Sequence, residues 1–591
     1  MEKWFIKNKK PDKIIDYKKF DLNMILYKIL INRGITSEEE IERYLKPSME
    51  NLNTALLLPD LIKASNLIFS AVREKQKIRI IGDYDVDGVM STYILYRGLQ
   101  RIGADVDFNI PHRVKDGYGI NTNIIDRAET ENVDLLITCD NGIAAKDAVE
   151  YANNKNIQVI VTDHHEVPIN ENGKEILPNA AAVINPKRDS SKYPFKEICG
   201  AVVAYKLVSY LYTIKSINER ELFDALLPYA AVATICDVMP LINENRDIVA
   251  KGLEILNSTE DIGMKALINE SGLNGKKIDV YHIGFIIGPT INSAGRLESA
   301  DYALKLLLSD NNDEALQKAK YLRHLNTERQ QLTDEGFNRV DSIIINNNFV
   351  EKFPVFIILD KSLNESVVGI IAGRIKEKYN RPTIILTESN GLLKGSGRSI
   401  VGYNMFDKIS EHKENLSSFG GHAMACGLSL EEKFLKDFII EINKDSGLTK
   451  EDLIPKIYMD MGMRLKDNSL ELVDKLSMFE PYGTSNPKAT FGTKNLKIVR
   501  FSVFGKNKNV LKFVLTDGEF SRDAILFEPV DDFINYLRDF YRESEIEALL
   551  SNMGNNISLD IVYTPTINNF RGNKSLELSI KNYRISEVAK C

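Results

Sequence analysis

Residues 78–88 read Ile78-Arg79-Ile80-Ile81-Gly82-Asp83-Tyr84-Asp85-Val86-Asp87-Gly88. Ile78, Ile80 and Ile81 form a short β-branched run suited to a buried parallel strand, and the run breaks at Gly82. Beyond the break, Asp83, Asp85 and Asp87 stand at alternate positions in one loop. Unpaired carboxylates this close repel one another, so a strand end bearing three of them either faces open solvent or collects divalent cations. Met90 to Leu99 has helical periodicity, which sets the acidic loop at the carboxyl end of a strand, where open α/β sheets keep their sites. On this stretch alone, a solvated Asp-Gly turn and a metal site both remain open.

Further along, the pattern repeats. Asp105 to Ile110 is a short strand, Val133 to Thr138 ends at Cys139-Asp140-Asn141-Gly142, and Val159 to Thr162 ends at Asp163-His164-His165-Glu166. Helices between consecutive parallel strands, Ile143 to Asn153 among them, bring the carboxyl ends to one edge. Tyr229 to Ile235, readable as helix or strand, delivers Cys236-Asp237. Asp83, Asp85, Asp87, Asp140, His164, His165 and Asp237 can therefore converge. Carboxylates with imidazoles suit manganese or magnesium better than zinc, and so many ligands call for two ions. Two metals clamp a phosphoryl group in line between an attacking water and a leaving oxygen. Each motif taken singly has a plainer reading as a turn or a capped loop, but four at element ends in this order favour the metal site.

The chain has 591 residues, 43% hydrophobic and 27% charged, which at about 100–200 residues per domain suggests three or four domains. A net charge of -7 gives no global basic signature, so a nucleic-acid partner must meet a local basic track. The cysteines, Cys139, Cys199, Cys236, Cys426 and Cys591, have no Cys-x-x-Cys pairing, which fits a reducing compartment and no zinc knuckle. The lysine-rich start has no apolar h-region and no stretch approaches membrane-spanning length, so no membrane contact and a cytoplasmic location are expected.

The Asp-Tyr-Asp-Val-Asp-Gly, Asp-Asn-Gly and Asp-His-His motifs, followed by Asp237, resemble the DHH phosphoesterase superfamily, and within it the RecJ branch of single-strand-specific 5′-exonucleases. The resemblance implies that Asp83, Asp85 and Asp140 hold one metal and that Asp87, Asp140, His164 and Asp237 hold the second, with Asp140 bridging. It also implies that His165 contacts the scissile phosphate, so that Asp140 and His165 carry the catalysis. Many DHH enzymes have a histidine four residues before Asp85, where this chain has Ile81; in the RecJ pattern Asp83 substitutes. The loop after the second strand, Pro111-His112-Arg113 to Asp116-Gly117-Tyr118-Gly119, offers Arg113 and Tyr118 as substrate contacts. Gly288-Pro289-Thr290-Ile291-Asn292-Ser293-Ala294-Gly295-Arg296 reads as a second phosphate-binding loop, offering Asn292 and Arg296. RecJ relatives often carry a further arginine where Thr290 stands, so one contact is expected to be absent.

Asp310 to Asn346 reads as a long, solvated connecting helix. The strand Val355 to Leu359, a helix opening at Asn364-Glu365-Ser366-Val367-Val368-Gly369 and the strand Pro382 to Leu386 resemble the DHHA1 domain, with Leu363-Asn364 in place of its usual Trp-His pair. Gly395-Ser396-Gly397-Arg398-Ser399 suits an anion cradle, with Ser396 and Arg398 as contacts, and His422 of Phe419-Gly420-Gly421-His422 joins them by resemblance. After Lys444, strand-like runs at Lys456 to Leu465, Ala489 to Phe504, Val510 to Thr516, Ile557 to Tyr563 and Leu576 to Tyr583 suit an OB-like barrel. Phe501, Phe504 and Phe513 lie among Arg500, Lys506, Lys508 and Lys512 and are stacking candidates for a single strand, although about half of such aromatics must be core. Phe479 to Pro487 resembles the RecJ linker into this barrel. At the other end, Leu22, Ile25, Leu26, Ile29 and Leu30, with an N-cap at Thr36 or Ser37, read as a helical lead-in docked on the first domain.

The expected architecture is α/β and two-lobed. It comprises a helical lead-in over 1–50, a parallel-sheet DHH domain over 51–309, the connecting helix over 310–346, a DHHA1 α/β lobe over 347–450 and an all-β OB-like barrel over 451–591. The resemblance implies a 5′-to-3′ exonuclease that degrades single-stranded DNA to 5′-mononucleotides in repair and recombination, using two Mn²⁺ or Mg²⁺ ions. A helicase and a single-strand-binding protein are its expected partners, and a monomer its expected state. The rival readings are a small-substrate DHH phosphodiesterase, acting on oligoribonucleotides or cyclic dinucleotides, and a catalytically silent single-strand-binding subunit.

Overall fold

The computed structural model describes residues 2–11, 15–113, 115–117, 119–570 and 572–586, so the expected contact Tyr118 lies outside the described residues. The chain divides into two compact units, Ser48–Pro455 and a second made of Met1–Pro47 with Lys456–Cys591.

The larger unit is built first on a five-stranded parallel sheet in the spatial order Asp105–Asn109, Lys77–Ile81, Leu135–Cys139, Gln158–Thr162, Ala182–Ile184. Both faces are covered, and the period of two sorts side chains between two cores. Ile78, Ile80, Leu135 and Ile137 enter one core, whereas Ile81, Leu136, Val159 and Val161 enter the other. In chain order the strands run 2-1-3-4-5, so the direction of winding reverses between the first and third strands. A crevice opens at such a switch point beyond the carboxyl ends of the strands. Here those ends carry Asp83 and Asp85 on one side and Asp140 on the other.

The connecting segment is one 35-residue helix, Asn312–Asn346, capped by the Asn311 side chain. A second sheet follows in the order Ser418–His422, Ala425–Leu430, Leu392–Arg398, Thr383–Ser389, Phe356–Leu359, parallel only between the last two strands. Ser396, Arg398 and His422 therefore lie on strands of an antiparallel ribbon rather than in free loops, with His422 beside Ala425 and Ala425 beside Arg398.

The smaller unit is a closed barrel. Phe491–Phe504, Val510–Thr516, Ser521–Leu526, Asn573–Ile585 and Ser558–Phe570 pair in turn, and the last returns to the first. Phe501 and Phe513 are core residues packed on Phe533, so neither stacks on a ligand; of the three candidates Phe504 is exposed. Alternation decides this, because inward and outward positions exchange at every residue of a strand. The amino-terminal segment belongs here and not to the first domain. Lys3–Ile6 pairs with Lys456–Met459, and Leu26, Ile29, Leu30 and Tyr44 share the barrel core. Ser37 caps the Glu38–Leu45 helix in a reciprocal box with Glu40. Residues 479–487 are likewise packed inside this unit, where the Tyr44 hydroxyl donates to Asn486 at 2.7 Å and the Arg33 guanidinium lies 5.1 Å from the Phe479 ring centroid. Among the described residues no single helix is long and apolar enough to cross a membrane.

Candidate metal centre and phosphate cradle

The helix after the acidic loop starts earlier than its periodicity suggested, at Val86, because Asp85 is its N-cap and accepts the Gly88 N–H at 3.1 Å. Asp87 thus falls in the first turn. Its two carboxylate oxygens accept the N–H groups of Gly200 at 2.6 Å and Ala201 at 2.8 Å, at the start of the Gly200–Ile214 helix. A helix N-terminus favours negative charge there and fixes the carboxylate's direction. Gly200 is also where Asp140 approaches, since a Cβ there would lie 2.8 Å from Asp140 Cβ.

Asp140 sits at φ +61°, a left-handed turn conformation that Asp tolerates better than most residues. Asn141 ties this turn to the acidic strand, donating to Ile81 O at 3.0 Å and Cys139 O at 2.9 Å while its Oδ1 accepts the Ile120 N–H at 3.2 Å. Asp237 arrives as the C-cap of the Glu219–Cys236 helix, so the Tyr229 to Ile235 run is helical.

The ligand atoms converge in neighbouring sets. Asp83, Asp85 and Asp140 form one, and Asp87, His164 and Asp237 another, each with its atoms within 4.8 Å of one another. Asp140 joins the two, with its Oδ1 lying 3.1 Å from His164 Nε2, which is itself 3.5 Å from Asp87 Oδ2 and 3.6 Å from Asp237 Oδ2.

These donors fit hard divalent cations. Asp83 Oδ1, Asp237 Oδ2 and both ring nitrogens of His164 are buried with no hydrogen-bond partner among the described residues. Burial, reinforced by the neighbouring carboxylates, raises the carboxyls of Asp83, Asp85 and Asp140 and pushes Asp237 up to about 9. Burial also keeps His164 neutral, the form in which imidazole ligates. Buried charges of one sign with spare lone pairs are stable only with a counter-ion, and oxygen donors with one or two imidazoles select manganese or magnesium.

Asp163, the first residue of the Asp-His-His motif, acts through its neighbours. One oxygen accepts the N–H of His164 at 2.7 Å, the N–H of His165 at 3.1 Å and approaches His165 Nδ1 at 2.7 Å; the other accepts the Ile143 N–H at 2.9 Å. Burial opposes a charge on His165, but the bond to Asp163 and the surrounding carboxylates overcome it and raise the imidazole to about 9. His165 remains about half exposed, with a 47% accessible side chain. Sequence reasoning placed no role on Asp163, although its position before two histidines was the available signal.

Opposite in sign, a group of guanidiniums lies next to the acids. Arg113 stacks 4.8 Å from the Tyr84 ring centroid. The stretch 288–296 is a helix, Gly288–Leu297, continuing from a π-turn over Ile283–Ile287, and this wider turn lies just before Pro289, which has no N–H to offer. It presses on the acidic loop, since a Cβ at Gly295 would strike Tyr84 O. Arg296, one turn beyond Asn292, donates to Ser366 O at 2.8 Å. Burial and then the fields of Arg113, Arg329 and Arg398 lower Arg296 to about 10. Arg398 donates to Ser396 Oγ at 2.9 Å, and a Cβ at Gly369 would come within 3.0 Å of both Arg398 Nη2 and Ser396 Oγ. Only glycine in that helical first turn leaves the cradle open.

Arg329, on the long helix, was read as a solvated charge. Its Nε is buried without a partner among the described residues, and burial lowers its pKa. Thr290 is buried and its hydroxyl accepts from Arg323 at 3.1 Å and Asn326 at 3.3 Å, so a guanidinium does stand beside it. His422 is largely exposed, and the partial desolvation it does undergo, with the fields of Arg398 and His165, lowers its pKa.

Carboxylate pairs at a sheet switch point, beside a guanidinium cradle, define a metal-dependent phosphoesterase of the DHH class, and residues 77–234 match the model of the DHH family, N-terminal domain. Residues 350–445 match the DHHA1 domain and 459–582 the RecJ OB domain. The chain is 34% identical over 571 residues to the single-stranded-DNA-specific exonuclease RecJ of Haemophilus influenzae, covering 93% of this chain and 94% of that one. It is 33% identical over 594 residues to the protein of that name from Bacillus subtilis, covering 99% and 71%. The structure of Thermus thermophilus RecJ in complex with Mn²⁺ shares the fold at a TM-score of 0.79 and 23% identity, covering 98% of this chain and 79% of that one. A structure of exonuclease RecJ bound to manganese is 30% identical with a TM-score of 0.58, covering 68% and 98%. The chain belongs to the RecJ family.

Proposed function

We propose that this chain is a 5′-to-3′ exonuclease that degrades single-stranded DNA to 5′-mononucleotides, in DNA repair and recombination. The observation that carries it is the pair of largely buried ligand sets, Asp83, Asp85 and Asp140 beside Asp87, His164 and Asp237, joined where Asp140 Oδ1 lies 3.1 Å from His164 Nε2, with Asp83, His164 and Asp237 atoms left without a hydrogen-bond partner among the described residues. Asp83, Asp85 and Asp140 would hold one Mn²⁺ or Mg²⁺, and Asp87, Asp140, His164 and Asp237 the other. Such a pair, when bound, supplies Lewis acidity at the scissile phosphate and an ionised water for in-line attack. The chain's own groups do the rest. His165, kept charged and aimed by Asp163, donates to a non-bridging phosphate oxygen as negative charge grows there. The 3′-oxygen of the terminal nucleotide leaves.

Polarity needs an anchor for the end of the strand. Arg113, Arg296, Arg398 and Ser396 are suited to hold a 5′-terminal phosphate, with Arg329, Asn292 and His422 at its margin. Holding that phosphate registers the next diester over the metals. The barrel supplies further single-strand binding, which a small-substrate phosphodiesterase does not need. A cytoplasmic monomer fed by a helicase and a single-strand-binding protein completes the reading.

The test is digestion with Mn²⁺ of single-stranded and duplex DNA labelled at either end. Stepwise release of mononucleotides from 5′ ends of single strands is expected. Release from 3′ ends, or activity confined to dinucleotides, would refute it.

A further inference from the structure

One two-stranded ribbon in the barrel unit is not used by the reading above. Lys3–Ile6 runs parallel to Lys456–Met459, with Lys3 beside Lys456 and Phe5 beside Tyr458. Alternation puts these four side chains on one face and Trp4 on the other. Trp4 anchors the ribbon to the barrel, where its Nε1 donates to Asn582 Oδ1 at 3.1 Å and the Arg584 guanidinium lies 4.5 Å from its ring centroid. On the outer face Phe5 and Tyr458 are 40% and 54% exposed, and their rings stack at 5.3 Å with planes 24° apart.

Two large rings aligned in water bury little and keep flat outer surfaces. The charge around them is basic: Lys456 is exposed, as are Lys9 and Lys10 just after the first strand. Of the acids nearby, Asp460 is buried and pairs with Lys7 at 3.2 Å, and Glu2, just before the strand, acts on Tyr536 of the barrel, the side to which Trp4 faces. Aromatic faces framed by lysines at strand spacing match the two chemistries of a single strand, stacking bases and a phosphate backbone. A protein strand adding to the ribbon's edge would use main-chain groups and would need neither the stacked pair nor matched lysines.

We infer that this ribbon is an additional single-stranded nucleic-acid contact, in which bases stack on Phe5 and Tyr458 while phosphates meet Lys456. It rests on the single-strand reading above and extends it to residues outside the 459–582 stretch that matches the RecJ OB domain.

The test uses the full chain with chelator present, titrated with labelled oligothymidylates several times longer than a single OB footprint of about 4–16 nucleotides. Phe5→Ala/Tyr458→Ala is expected to bind about tenfold more weakly, while Tyr458→Phe, which keeps the ring, retains affinity. Lys456→Gln is expected to lower the slope of log affinity against log salt by about 0.7. Trp4, the single tryptophan of the chain, is expected to change emission on binding in the wild type and not in the double variant. A double variant that melts and binds like the wild type, with the Lys456→Gln slope unchanged, overturns the inference and leaves the edge to a protein strand. A wild type that binds no single strand overturns the preceding reading as well.

Discussion

The acid cluster and the arginine cluster of the larger unit are two answers to one electrostatic problem. Each gathers like charges into a buried place, and in each, burial followed by the like-charged neighbours shifts pKa towards neutrality: Asp237 rises to about 9 and Arg296 falls to about 10. They differ in how they are held. The acids are fixed by main-chain donors, the Gly200 and Ala201 amides for Asp87 and the Gly88 amide for Asp85. The arginines are held by a few acceptors, Ser366 O for Arg296 and Ser396 Oγ with Gly397 O for Arg398, each reached from one terminal nitrogen of the guanidinium. Rigid ligand geometry suits a metal, whose distances are strict; a guanidinium fork can adapt to a phosphate. Unsatisfied charge of either sign in a buried place is therefore a ligand's complement.

The sharpest way to break this comparison is Asp140→Asn, which removes the carboxylate charge standing between the two ligand sets. Exonuclease turnover should fall by at least about 10³-fold, measured as kcat on single strands. The same substitution should stabilise the metal-free protein, because it removes repulsion; a lower melting temperature in chelator would count against the acid cluster being strained without cations.

Metal binding should reverse that strain. At 100 times its Kd, Mn²⁺ should stabilise the wild type by about 2.7 kcal/mol, and calorimetry of Asp140→Asn should show much less. In chelator the sign with pH is also set. Asp237 has a folded pKa of about 9, raised above its unfolded value of about 4, so the folded state binds the extra proton between them. Wild type should lose stability relative to Asp237→Asn as pH rises through that window.

On the arginine side, Arg398→Ala should cost about 1.5–3 kcal/mol of binding on 5′-phosphorylated strands, the worth of a hydrogen bond to a charged group. Strands ending in a 5′-hydroxyl should lose far less. Equal losses on both ends would dissociate this cluster from the terminal phosphate. Asp163→Asn should cost about 10–100-fold in kcat/KM, the scale of an orienting partner one shell out. The smallest effect belongs to Arg329→Ala, roughly tenfold on the phosphorylated end, since one further charge-assisted contact is lost.

Much of the metal centre was legible from the chain because its ligands are local events: a β-branched strand stops, a glycine turns, and Asp83, Asp140 and His164 stand at the stop. Phosphate contacts were less legible. Ser396 and Arg398 read as an anion cradle because glycines surround them, but Gly395 and Gly397 also let a strand ribbon pack tightly, with Leu386 and Cys426 against them. Residues 288–296 looked like a loop because Pro and Asn are there, yet the helix runs through Pro289 behind a π-turn. Arg329 carried no signal at all, since a lysine- and arginine-rich helix looks alike on its wet and its buried face.

By itself the sequence determined which groups could ligate and at which element ends they stand, because strand and helix periods and turn chemistry act over a few residues. Tertiary structure alone decided which candidate ligands lie together, that Asp87 is clamped by a distant helix start, that Phe501 and Phe513 are core, and that the amino-terminal segment completes the barrel unit. Those outcomes depend on burial and pairing between segments far apart in the chain, where cooperative packing rather than local pattern selects the partner.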